Sequence, residues 1–209
     1  QYHGLWIELE ELAHSPVTVS LGGGYASSRW DLYCGTPGED VCTGATDEER
    51  TAFSHTSAYA NLSAEWRLGP TPVSLFGGWS GAYRLAGIPR APEPLPGSLY
   101  AERFPEGEVG LESTLQAGLA YDTRDDDEEP SRGVWADVSL RGAAPAWGSA
   151  WSYIGGNATL RTYAPLGVER FVLASRLGTD VVFGDQPTAQ TGSTGGLQGY
   201  GALGGGEIG

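Results

Sequence analysis

From His55 to Leu68 the chain alternates without a break. Thr56, Ala58, Ala60, Leu62, Ala64, Trp66 and Leu68 stand at even positions; His55, Ser57, Tyr59, Asn61, Ser63, Glu65 and Arg67 stand at odd ones. Successive side chains of an extended strand point to opposite faces, so this pattern builds one long strand with an apolar and a polar face. Strands of soluble proteins usually have roughly 5–6 residues, and this one is more than twice that. At about 3.3 Å per residue and a tilt near 45° it climbs roughly 30 Å, the thickness of a bilayer's hydrocarbon core.

Other windows repeat the pattern. Val73, Leu75, Trp79, Tyr83 and Leu85 share a face; Leu111, Leu115, Leu119 and Tyr121 oppose Glu112, Gln116, Asp122 and Arg124. Val134, Ala136, Val138 and Leu140 oppose Asp137 and Arg141, and Phe171, Leu173, Leu177, Val181 and Phe183 oppose Arg176 and Asp180. Weaker alternation runs over 3–11, 17–26 and 150–164. In the last of these Tyr153 and Tyr163 fall on the polar face with Asn157 and Arg161, and a bulge at Gly155-Gly156 is expected to switch the phase. The pattern predicts about eight strands.

The connections alternate in length. Residues 12–16, 69–71, 125–132 and 165–169 are short, whereas 27–53, 86–108 and the stretch from 184 onward are long, with 144–149 between. Outer-membrane barrels have short periplasmic turns and long outer loops. The expected fold is therefore all-β, an antiparallel meander of a transmembrane β-barrel. The polar faces carry Glu65, Arg67, Arg84, Glu112, Arg124, Asp137, Arg141, Arg161, Arg176 and Asp180, which a dry core would not tolerate and a watery lumen would. Trp66, Tyr121 and Phe171 fall near one end of the apolar faces and Tyr25, Tyr83 and Phe183 near the other, as two interfacial girdles would require.

Composition narrows the function. The net charge is −14 and every basic residue is arginine, a balance that repels phosphate backbones and excludes nucleic acid as a partner. Mean hydropathy is −0.25, and no stretch supplies the roughly 20 apolar residues of a membrane helix. With no methionine, and a finish in Gly204-Gly205-Gly206-Glu207-Ile208-Gly209, residues 1–209 read as one barrel domain, an internal segment incomplete at both ends. No nucleophile, base or phosphate-loop pattern emerges, and no cofactor or metal is expected. Cys34 and Cys42 share the first long loop; in an oxidising compartment they are expected to be bonded.

From Tyr121 onward the sequence resembles the BamA/TamA surface-antigen superfamily. Tyr121-Asp122-Thr123-Arg124-Asp125 followed by Pro130-Ser131-Arg132-Gly133 is similar to its strand–turn–strand, and Tyr163-Ala164-Pro165-Leu166-Gly167 to a later turn. Gly195-Gly196-Leu197-Gln198-Gly199-Tyr200 is similar to its long-loop motif, with Gln198 where the family has arginine. The turn Asp125-Asp126-Asp127-Glu128-Glu129 departs as well, standing where aromatics are usual; it reads as a solvated acidic turn in preference to a divalent-cation site. The resemblance implies a sixteen-stranded barrel in the bacterial outer membrane, of which about eight strands are present. Such a barrel assists insertion or translocation of client proteins, with periplasmic repeats outside this segment and membrane lipid around it. It also implies a motif loop held in the lumen by an arginine that pairs with wall acids, a role uncharged Gln198 would fill differently. The alternatives are a passive pore or surface protein, and the barrel anchor of a secreted enzyme.

Overall fold

The computed structural model describes residues 2–10, 15–32, 52–86, 99–167 and 171–187. Eight strands form one sheet: β1 (Tyr2–Leu9), β2 (Val17–Leu32), β3 (Ala52–Arg67), β4 (Val73–Ala86), β5 (Glu108–Asp122), β6 (Gly133–Ala143), β7 (Ser152–Pro165) and β8 (Val172–Asp185). Their spatial order is their chain order, and every neighbouring pair is antiparallel. Among the described residues the sheet is open, with β1 and β8 each paired on one side.

The register explains why the alternation is kept so strictly. On one rung Ile7 meets Leu21, Leu21 meets Leu62, Leu62 meets Trp79 and Trp79 meets Leu115. Leu115 then meets Gly142, Gly142 meets Ile154 and Ile154 meets Phe183. A slip of one residue in any strand would put its polar set into this apolar row. Leu21, Leu62, Trp79, Leu115, Ile154 and Phe183 are 38–69 % exposed, while on the other face Ser20, Ser63, Ser139, Asn157 and Thr159 are buried. A sheet in water buries its apolar side; here the arrangement is inverted. No helix among the described residues is long and apolar enough to cross a membrane.

The structure corrects the sequence reading at three places. The expected loop 27–53 is shorter, because β2 runs to Leu32 and β3 begins at Ala52. The polar run after Ala26 hides this extension; pairing with β3 carries it, with Ser27 Oγ 3.2 Å from Thr56 Oγ1 and a register shift between Ser28 and Asp31. The expected loop 86–108 contains a one-turn helix, α1 (Leu99–Arg103), held by buried Tyr100, whose hydroxyl donates to Glu108 Oε2 at 2.8 Å and whose ring lies against Phe104. The bulge expected at Gly155-Gly156 does not exist: pairing runs evenly from Ser139–Asn157 to Gly142–Ile154. Tyr153 stays on the polar face because its hydroxyl finds partners there.

If the exposed apolar face meets hydrocarbon, Leu115→Arg should lower folding stability in lipid vesicles by about 2–4 kcal/mol. Gln116→Arg, on the opposite face one residue on, should cost less than half as much. Denaturant titration of both variants in vesicles measures this, and equal costs would contradict the facing.

Candidate functional site

The polar face holds the charged residues that the sequence singled out. Glu112 on β5 is 3 % exposed, a burial that is tolerable only with partners for both oxygens. Arg84 on β4 donates from Nε to its Oε2 at 2.6 Å, and the Tyr153 hydroxyl on β7 donates to its Oε1 at 2.6 Å. Tyr153 also lies 2.9 Å from Thr114 Oγ1. Three strands are thus tied through one carboxylate.

Arg141 on β6 reaches Asp180 on β8, passing over the intervening strand. Its two terminal nitrogens meet the two carboxylate oxygens at 2.6 and 2.8 Å, the bidentate fork that makes such pairs strong. The strand crossed presents Gly155 at that rung, and a Cβ there would lie 3.3 Å from Arg141 Cζ. The glycine expected to make a bulge instead leaves room for the guanidinium.

Toward the short-turn end, Arg161 lies over the Trp135 ring, 4.9 Å from its centroid. Arg161 and Arg176 stand opposite each other on β7 and β8. Asp137, opposite Thr159, and Glu65 are half-buried on the same face. The structure therefore brings Arg84 to Glu112, Arg141 to Asp180 and Arg161 beside Arg176; Glu65 stands apart on β3. Tyr153, Thr114 and Trp135 belong to the same arrangement and were not among the residues read as functional. The one signal for Tyr153 was its place on a polar face, out of keeping with its ring. Cys34, Cys42 and the motif Gly195, Gly196, Leu197, Gln198, Gly199 and Tyr200 lie outside the described residues.

The turn between β5 and β6 turns its acids inward on itself. Arg124 donates to both oxygens of Asp122, at 3.0 Å from Nε and 2.6 Å from a terminal nitrogen, and to the Asp127 carbonyl at 3.0 Å. The Asp122 carboxylate, foremost, holds the Arg124 guanidinium more firmly protonated than usual. Asp126 accepts from the Glu128 and Glu129 amides, and Asp125 accepts from the Ser131 hydroxyl and the Ser131 and Arg132 amides. Gly133 follows at φ 112°, where a Cβ would strike the Thr123–Arg124 backbone. The Pro130-Ser131-Arg132-Gly133 stretch is thereby explained: its serine and arginine clasp Asp125, and its glycine makes the corner. Among the described residues no group of three acidic, histidine or cysteine side chains is placed to hold a metal ion.

A meander of long strands with an exposed apolar face and a buried, ion-paired polar face is the wall of a transmembrane β-barrel. A family model described as the Omp85 superfamily domain matches residues 46–206, and the chain belongs to that superfamily. This agrees with the resemblance carried by the Tyr121–Gly133 and Tyr163–Gly167 motifs, and it ties the chain to the outer-membrane protein assembly and translocation family at large. Comparison with curated proteins finds no match.

The turn has a pH signature. Hydrogen bonds from Ser131 and then the Arg132 amide hold the Asp125 carboxyl down at about 2, against an ordinary 3.8. A carboxyl depressed by folding stabilises the folded turn above its ordinary pKa, and that contribution is lost as pH falls from about 4 to about 2. Amide exchange at Ser131 and Arg132 should therefore accelerate, beyond its intrinsic pH dependence, across that window. Asp125→Asn should show the fast rate already at pH 6. Equal protection in the variant at pH 6 would contradict the clasp.

Proposed function

We propose that this chain forms part of an outer-membrane barrel, of about sixteen strands, that assists insertion or translocation of other proteins in the manner of the BamA/TamA-like surface antigens. The observation that carries this is the superfamily match over residues 46–206, which include β3 to β8. The edges of β1 and β8, open among the described residues, support a larger barrel, since an unpaired strand edge in hydrocarbon leaves peptide groups without partners. The polar face then lines the lumen and carries Glu65, Arg84, Glu112, Asp137, Arg141, Arg161, Arg176 and Asp180, and the apolar face meets membrane lipid.

In this reading the chain after Pro187 folds back into the lumen, and Gln198 replaces a charged anchor with an amide; Gly184 and Asp185, counted with the long loop from the sequence, belong to β8. The wall chemistry supports that exchange. Glu112 is engaged by Arg84 and Tyr153, and Asp180 by Arg141. A wall that supplies its own arginines has less need of one from the loop, and a carboxamide can bond the remaining hydroxyls and amides without bringing an unpaired charge.

The test uses the full-length protein, with whatever periplasmic repeats it carries, reconstituted in lipid vesicles. An unfolded outer-membrane barrel protein is presented as client, and its folding is followed by the shift to a heat-modifiable band. Client folding should be faster than in empty vesicles. A rate equal to that of empty vesicles, with ion conductance present, would overturn the reading in favour of a passive pore.

A further inference from the structure

The wall is not evenly built. β6 ends at Ala143, where it pairs with Thr114 on one side and Tyr153 on the other. β5 continues past that rung to Glu108, so residues 108–113 have no strand on their β6 side. Residues 144–151 occupy the place, with a single 3-10 turn at Pro145–Trp147. Two hydrogen bonds stand in for the ladder: the Ala150 amide donates to the Leu111 carbonyl at 2.7 Å, and the Trp147 indole donates to the Ser113 carbonyl at 2.9 Å.

Side chains complete the seal on one face. On the polar face Trp151 and Tyr153 pack with Ala143 and Val182, and the Tyr153 hydroxyl reaches across to Glu112 and Thr114 on β5. Gly110 is shaped to this filling. A Cβ there would lie 2.7 Å from Ala150 Cβ and 3.0 Å from the Trp151 ring, so any larger residue pushes the segment out.

We propose that residues 144–151 are a displaceable stopper closing a gap in the wall between β5 and β7. Elsewhere each rung is held by backbone bonds that must be broken in sequence. Here residues 144–151 are joined to β5 by two hydrogen bonds and by the fit of Trp151 against Gly110, which can leave as one unit, while the Tyr153 hydroxyl on β7 keeps its bonds to Glu112 and Thr114. With the stopper out, β5 presents a bare edge over 109–113, a template on which another extended segment can pair. The proposal concerns the wall alone and holds whatever the barrel carries.

Amide exchange followed by mass spectrometry, on the full-length protein in lipid nanodiscs, tests it. In the unaltered protein residues 109–113 should exchange at least about tenfold faster than 115–121. Gly110→Val should speed 109–113 by a further factor of about ten and leave 115–121 unchanged. A second protein carries Gly110→Cys and Ala150→Cys, with Cys34 and Cys42 replaced by serine. Its new pair should bond spontaneously, slow 109–113 to the rate of 115–121, and release it again on reduction. If Gly110→Val fails to give a heat-modifiable folded band, the cysteine pair decides alone. Equal exchange of the two stretches in the unaltered protein would overturn the proposal, as would a folded cysteine variant that does not bond.

Discussion

A peptide group surrounded by hydrocarbon has no water to bond, so it must find its partner in the neighbouring strand. That requirement organises what is seen here. It favours strands long enough to cross, paired rung for rung over their length, and it forbids slips that would carry a polar side chain to the lipid face. The register from β1 to β8 meets it with one shift, near the far end of β2. The place where the ladder stops short, beside β6, is filled by a segment whose amide and indole groups take over the carbonyls of Leu111 and Ser113.

Given the ladder, the alternation of side chains decides the chemistry of each face. The polar face gathers charge, and charge so gathered needs partners. Arg84 with Glu112 and Arg141 with Asp180 supply them between strands, and the second pair skips a strand entirely. Exposed pairs of this kind contribute little to stability, often less than about 1 kcal/mol. These are largely buried, so breaking one by removing a single partner leaves an uncompensated charge and costs far more than the pair itself contributes. They fix the neighbours of β6 and β8 and leave the wall electrically balanced where a loop could lie against it.

Much of this was legible in the sequence. β3, β4 and β5 were readable within a few residues because their alternation is unbroken and their ends carry turn residues. β2 was underestimated because Ser27-Ser28-Arg29 breaks the apolar rhythm, and only pairing with β3 reveals the strand. The helix at Leu99–Arg103 is too short for a periodic signal and depends on a contact made by Tyr100. The charged residues of the polar face could be named from period two, but their partners could not. Arg141 and Asp180 are joined by a register that no local pattern encodes, through a gap left by Gly155. Tyr153 carried the most informative misfit: an aromatic ring on the wet face, read as a phase error, is the bridge between β7 and β5.

The central claim is that the apolar face lies in lipid and the polar face in water. Nitroxide labels placed one at a time at positions 115 to 120 of β5, in the full-length protein reconstituted in bilayers, test it directly. Collision with oxygen, which concentrates in lipid, should peak at 115, 117 and 119. Collision with a water-soluble nickel chelate should peak at 116, 118 and 120. A profile without the period of two, or one with the opposite phase, would contradict the account.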